Sequence, residues 1–360
     1  MKSYLQGGSM DNLKRMDALD YIRGFALLGI ILVNILALLH IKIPDPFTID
    51  ASYQRFLYFF VEGRFYTIFS FLFGVGFYLF ITRANAKGKN GHVLFLRRIA
   101  AMFVFGILHS LFHPGEALMI YAICGFITLP FYKVNKHINL TMSIILIIIF
   151  GVMGIKIALP LPLILLGLAC GQYRIFEKLK QKIKQLFIFT AIMLILSIIG
   201  LYVQYLNMPE QPFEPMILLS EDGTLDQSSK FLQIGVTNGP IISAFYIGML
   251  LLLLQTKIVQ TLLSPLKYYG RMAFTNYIGQ TAFILLFGRI FHFISNLTYV
   301  QTLYVCLAIY AIQILFSVIW LKYFRMGPLE WIWRMITYWH TVPLRKPVIQ
   351  EKHVQNHGSL

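Results

Sequence analysis

An all-α fold, a polytopic transmembrane bundle of about ten spans with both termini in the cytoplasm, is predicted by three features of this sequence. Of its 360 residues, 58% are hydrophobic and only 13% are charged, and the mean hydropathy is +0.69, well outside the range of soluble domains. The apolar residues come in blocks of about 17 to 24, the length a helix needs to cross roughly 30 Å of hydrocarbon. Lys and Arg crowd into alternate connections between the blocks, as the positive-inside rule requires.

The blocks cover residues 22–41, 65–81, 94–112, 117–132, 138–159, 161–176, 186–206, 232–255, 272–294 and 301–323. Inside a bilayer each must satisfy its own backbone hydrogen bonds, which only a helix does within one segment. Residues 1–21 form a cytoplasmic segment. The first block is too long for a signal-peptide core and lacks a small-residue cleavage site, so it reads as an uncleaved first span. The transmembrane bundle is then 22–323, with an external loop at 207–231 and a cytoplasmic interfacial helix and tail at 324–360.

Orientation follows from where the cations fall. Lys14, Arg15 and Arg23 precede the first block, and Arg83, Lys87, Lys89, Arg97 and Arg98 separate the second from the third. Lys133 and Lys136 follow the fourth, Arg174 to Lys184 the sixth, and Lys257, Lys267 and Arg271 the eighth. Lys322, Arg325, Arg334, Arg345 and Lys346 mark the C-terminal end. The intervening connections are short or acidic, as at 209–229 with Glu210, Glu214, Glu221, Asp222 and Asp226. Only an even number of spans with the N-terminus inside fits this alternation. The net charge of +16 is therefore a topological signature and not a nucleic-acid-binding face. Cys124, Cys170 and Cys306 lie inside apolar blocks without metal-ligand spacing, and no Walker loop, HExxH, GxSxG or acidic metal cluster occurs, so neither a disulfide nor a metal is expected.

Ionisable groups inside a bilayer cost about 2.5–3.5 kcal/mol each on insertion scales, so those present need a partner or a function. His109 lies roughly 18 Å beyond Arg97 and Arg98 along the third block, and Asn34 lies about 16 Å beyond Arg23 along the first, which puts both in the outer half. Pro114 and Gly115 reverse the chain and bring Glu116 back toward His109. A carboxylate beside an imidazole raises its basicity and fixes its tautomer, as a general base requires; alternatively, Glu116 caps the fourth span. His113 sits in the loop, where a solvated histidine needs no special role. Arg23, Arg97, Arg98, Lys267 and Arg271 lie at inner ends of spans and, if they converge, form a basic mouth suited to phosphates. Arg64 and Tyr66, in GRFYTIFSFLFGVGF, and Asn276, in GRMAFTNYIGQT, join the candidate binding set, although polar glue between helices explains Thr275, Asn276 and Gln280 equally well. Gly74 and Gly76 read as packing glycines. TNGP at 237–240 is expected to break or kink the eighth span. The aromatic run 53–63 is expected on the outer surface. In GPLEWIWRMITYW, Trp331, Trp333, Tyr338 and Trp339 predict a helix lying in the inner interface.

DALDYIRGFALLGIILVNI, RFYTIFSFLFGVGF, LRRIAAMFVFGILHSLFHPGEALMIYAICG, GRMAFTNYIGQT and GPLEWIWR together resemble the YeiB-like family of bacterial inner-membrane proteins, over residues 17–338. That family is similar in architecture to the transmembrane acyltransferase superfamily, which includes heparan-α-glucosaminide N-acetyltransferase. Its opening pattern corresponds here to Asp17 or Asp20, Arg23, Gly24 and Asn34. The resemblance implies acyl-coenzyme A as donor substrate from the cytoplasm and a histidine assisting acyl transfer on the far side. His109 meets that role by position, not by motif spacing.

The leading expectation is a membrane-embedded acyltransferase moving an acyl group, such as acetyl, from acyl-coenzyme A to an envelope glycan, lipid or small acceptor. In it His109 takes the proton, Glu116 orients it, Asn34 or Asn276 steadies the oxyanion, and the inner arginines hold phosphates. A secondary transporter or exporter of a small solute is the alternative, supported by the interrupted eighth span. A non-catalytic component binding a lipid or a partner is the third. The bilayer is the implied partner and the cytoplasmic membrane of a bacterium the implied location.

Overall fold

The computed structural model describes residues 17–214, 216–217 and 225–346; Lys14, Arg15, Glu221, Asp222 and the tail beyond residue 346 lie outside the described residues. The helices are α1 (Asp17–Leu38), α2 (Ile49–Phe60), α3 (Arg64–Ala86), α4 (Gly91–Ser110), α5 (Leu118–Thr128), α6 (Lys136–Val152) and α7 (Pro160–Gln172). They continue as α8 (Ile183–Leu206), α9 (Gln227–Leu253), α10 (Lys257–Leu262), α11 (Ser264–Arg271), α12 (Ala273–Ile290), α13 (Tyr299–Tyr323) and α14 (Pro328–Tyr338). The described residues form no β-strand, and an isolated β bridge joins Phe324 to Arg345. The protein is an all-α polytopic membrane protein.

Asp17–Leu38, Ile49–Ala86, Gly91–Ser110, Ile183–Leu206, Gln227–Leu253 and Tyr299–Tyr323 are long and apolar enough to cross a membrane, and Leu118–Lys133, Lys136–Val152 and Lys156–Gln172 are apolar but shorter. With α12, each of the ten expected segments overlaps one of these helices. The helix starts follow local chemistry. Thr48, Asn90 and Asp226 each accept a backbone N–H of the first turn of α2, α4 and α9, and Thr298 with Gln301 forms a capping box on α13, satisfying donors that a helix end leaves open. Gly63 turns α2 into α3 with φ of 78°, a left-handed conformation that a side chain disfavours.

In lipid, apolar side chains gain little by leaving the solvent, so close packing and polar contacts hold the helices together. Helices α3 and α7 approach at Gly74 and Gly167, where an added Cβ would strike the carbonyl oxygens of Ile164 and Phe71. Helices α1 and α11 meet similarly, Gly24 against Leu266 and Gly270 against Asp20. A polar network then ties α11, α12 and α13. Asn276 donates to Tyr269 O at 2.9 Å and Ser317 Oγ at 3.0 Å, Gln280 donates to the Tyr269 hydroxyl at 2.7 Å, and Tyr269 donates to Gln313 at 3.0 Å.

Two local expectations change. The TNGP segment does not interrupt its helix: α9 runs through Pro240. The proline removes one internal N–H, but Thr237 donates to Gly151 O at 2.8 Å and Asn238 to Gly200 O at 2.7 Å, so neighbouring helices hold the segment where proline would free it. The aromatic rings of α14 also do not all face headgroups. Trp333 donates from Nε1 to Arg98 O at 2.8 Å and, with Tyr338, faces a cavity inside the bundle, whereas Trp339 is exposed.

Candidate functional site

One cavity of about 1060 Å³ runs along the bundle between α1, α3, α4, α5, α12 and α14, at the upper end of the size range of small-molecule sites. Its length is read from the helices that wall it. Arg23 and Asn34 on α1 both line it, eleven residues or roughly 16 Å apart. Tyr66 and Arg83 on α3 do so too, about 25 Å apart along the helix.

At one end the lining carries seven basic side chains, Arg23, Arg83, Lys87, Lys89, Arg98, Arg271 and Arg334, against two acidic ones, Asp20 and Glu330. Arg23 pairs with Asp20 at 2.8 Å, and Arg98 lies 3.6 Å over the Trp333 ring. Glu330 accepts from Phe274 N at 2.8 Å, Thr275 N at 3.2 Å and Thr275 Oγ1 at 2.5 Å, capping α12 from α14 and holding α14 across this end. Burial raises the pKa of Glu330, partly offset by these hydrogen bonds. A raised folded-state pKa means stability is greatest below the unfolded value and falls as pH rises through the folded one. The thermal midpoint should therefore decline with pH above about 4.5 for this contribution, and Glu330→Gln should flatten that slope; a slope unchanged by the substitution would remove Glu330 as its source.

The opposite end is ringed by Asn34, Glu62, Tyr66, Glu116, Tyr121 and Lys156. Lys156 pairs with Glu62, and Tyr66 donates to Lys156 O at 3.2 Å. Glu116 bonds His109 Nδ1 through Oε2 and accepts the N–H of Leu118 through Oε1. His109 Nε2 lies 3.0 Å from the Thr281 hydroxyl. Glu116 thus contacts both His109 and the first turn of α5. The arrangement satisfying all three groups has Nδ1–H donating to the carboxylate and Thr281 donating to Nε2. His109 and Glu116 are both buried, and of the two Glu116 lines the cavity.

The other candidates divide by where their side chains are spent. Arg23, Arg98 and Arg271 converge on the basic end. Arg97 instead lies 3.7 Å over the Trp339 ring, and Lys267 pairs with Asp17 at 3.3 Å. Asn276 is consumed by the α11–α13 network, whereas Asn34 faces the cavity and makes no hydrogen bond with the described residues. Arg64 is 1% exposed; it donates to Glu62 O at 2.5 Å, Gly235 O at 3.2 Å and Gln204 Oε1 at 3.1 Å, clamping the turn that carries Glu62 and Tyr66. His113 is buried, not solvated, and its Nδ1 accepts from Gly115 N at 3.0 Å.

Glu62, Lys156, Thr281, Trp333 and Glu330 are site residues that sequence reasoning missed. Lys156 is 94 residues from Glu62, and Thr281 is 172 from His109, so no local spacing signals either contact. Glu330 carried one signal, an acid inside an aromatic interfacial run.

The family model described as "Protein of unknown function (DUF418)" matches residues 170–340. The chain is 60% identical over 332 residues to an uncharacterised 39.9 kDa protein in the amylase 3′ region of Bacillus acidopullulyticus, covering 92% of this chain and 96% of that protein. It is 27% identical over 406 residues to the uncharacterised protein YxaH of Bacillus subtilis (strain 168), with the same coverage of 92% and 96%. Over 71 residues, 19% of this chain and 18% of the relative, it is 42% identical to the uncharacterised protein YeiB of Escherichia coli (strain K12).

Proposed function

The chain belongs to the YeiB-like, DUF418-containing family of membrane proteins, and from that premise we propose that it is an acyltransferase moving an acyl group from acyl-coenzyme A to a hydroxyl or amine acceptor across the bundle. The observation that carries this reading is one continuous cavity whose lining carries seven basic side chains at one end and Glu116 and Asn34 at the other. Phosphates of the donor suit the arginines, whose planar groups offer paired donors. At the far end the acceptor passes its proton to the Glu116 carboxylate, which His109 supports through Nδ1–H. The acceptor oxygen or nitrogen bonds to the acyl carbon, the carbon–sulfur bond breaks, and the thiolate leaves and takes up a proton. Asn34, with its amide unspent, steadies the oxyanion.

In this reading the basic end faces the cytoplasm of a bacterium and the chain crosses its inner membrane ten times, with the acceptor an envelope glycan, lipid or small molecule. Cysteines introduced at Gln211 and Lys184 should react oppositely with an impermeant thiol reagent on intact cells, Gln211 first. Equal labelling would end the topology. An exporter draws support from an interrupted eighth span and from the count of ten spans; α9 runs unbroken through Pro240, which leaves it the span count.

The direct test is whether purified protein binds coenzyme A and slowly hydrolyses acetyl-coenzyme A. A charged hydrogen bond is worth about 1.5–3 kcal/mol, or roughly 10- to 100-fold in affinity. Arg98→Ala should weaken coenzyme A binding by about that factor, while Arg97→Ala, whose guanidinium lies over Trp339 away from the cavity, stays within about twofold. Equal losses would reduce the effect to general surface charge.

A further inference from the structure

Two glycines two residues apart on α3 serve different ends. Gly74 packs: a Cβ there would strike the Ile164 carbonyl of α7. Gly76 points elsewhere, because residues two apart on a helix are turned by about 200°. It lines the cavity, and an added Cβ would meet one neighbour, Arg23 Nη2 at 3.8 Å, an ordinary contact. Nor does its backbone need glycine, since its φ is not positive. Glycine within a helix is disfavoured relative to alanine. One that neither packs against backbone nor takes a left-handed conformation has no structural reason to be there, and what it leaves is room.

That room has a definite place. Gly76 lies ten residues from Tyr66 and seven from Arg83, the α3 residues that line the two ends of the cavity, roughly 15 and 10 Å along the axis, so it stands between the ends and nearer the basic one. Arg23 of the basic cluster lies beside it, Arg83 and the rest of the cluster lie to one side, and Asn34 and Glu116 lie to the other. Toward the far end the α3 wall of the cavity is aromatic and uncharged, with Phe65, Phe69 and Phe73 joined in the lining by Ile30 and Tyr277.

We infer that Gly76, beside Arg23 at the edge of the basic cluster, keeps open a waist through which a narrow, uncharged arm of the donor passes while its anionic head stays at the basic end. The waist rests on the cavity alone; naming its occupant rests on the acyl-transfer reading. The donor class that fits is an acyl thioester borne on a long flexible arm. A small acyl phosphate is too short to place its phosphate among Arg98, Arg271 and Arg334 and its acyl carbon at Glu116 at once, so Gly76 also becomes a determinant of donor shape.

The test reads passage and transfer separately. In a background with Cys124, Cys170 and Cys306 replaced by alanine, Asn34→Cys is labelled by an impermeant maleimide in vesicles of either orientation. Adding Gly76→Leu should slow labelling from the basic face by about tenfold or more and leave labelling from the opposite face unchanged. Gly76→Ala should keep the thermal midpoint or raise it, whereas Gly74→Ala should lower it. If the leucine variant does not fold, Gly76→Ser with maleimides of graded size replaces it, and the larger reagents should be excluded first. Labelling from the basic face that ignores every substitution at Gly76 in folded protein overturns the waist. For transfer, Gly76→Leu should lose about 100-fold in acetyl transfer, at least about tenfold more than it loses in affinity for adenosine 3′,5′-bisphosphate, which carries no arm; equal losses would reduce the effect to displacement of Arg23. Should the wild-type protein bind no coenzyme A, the acyl-transfer reading fails, and the labelling still decides the waist.

Discussion

Glutamine in place of Glu116 is expected to cut acyl transfer by about 100-fold or more, the scale on which a general base contributes, while leaving the protein folded and its affinity for coenzyme A unchanged. Glutamine retains an oxygen for the Leu118 N–H, so the cap on α5 survives, but it cannot take a proton. Because Glu116 is among the residues lining the cavity and His109 is not, His109→Gln should cost less than Glu116→Gln. The double variant should be no slower than Glu116→Gln alone, since groups that act as a unit do not add. Normal transfer by a folded Glu116→Gln protein would sink the mechanism. A larger loss from His109→Gln than from Glu116→Gln would restore the imidazole as the group that meets the acceptor.

Removal of the Arg64 side chain is expected to have the largest effect on stability. Its guanidinium is buried and serves three acceptors on the α2–α3 turn, α8 and α9, and Ser243 donates to its carbonyl at 2.7 Å. Each charged hydrogen bond is worth about 1.5–3 kcal/mol, and acceptors left buried without a donor cost more than they contributed when paired. Arg64→Ala should therefore destabilise the protein by roughly 3 kcal/mol or more, seen as a thermal midpoint lowered by about 5 °C or more. Arg55→Ala, whose head bonds the exposed Glu210 O, should change it by about 1 kcal/mol at most. If the two substitutions prove equal, the clamp on the turn carrying Glu62 and Tyr66 is not what holds it. A midpoint that stays normal in Arg64→Ala while coenzyme A affinity falls would instead return Arg64 to ligand binding.

The sequence alone determined the features written within one segment. Apolar blocks of spanning length, polar caps such as Thr48 and Asp226, and lysines and arginines gathered at one set of ends are each legible because backbone hydrogen bonding and hydropathy act locally. The meeting of His109 with Glu116 was legible for the same reason, since seven residues and a Pro114–Gly115 turn leave the chain little choice. Tertiary structure decided which way each side chain faces. Neighbouring arginines separate, Arg98 to the cavity and Arg97 to Trp339; Asn276 is spent on Tyr269 and Ser317 while Asn34 is not; Gly74 packs and Gly76 opens space. A helix presents a new direction every 100° or so, and which direction becomes interior depends on partners such as α7, α13 and α14 that lie far away in the chain.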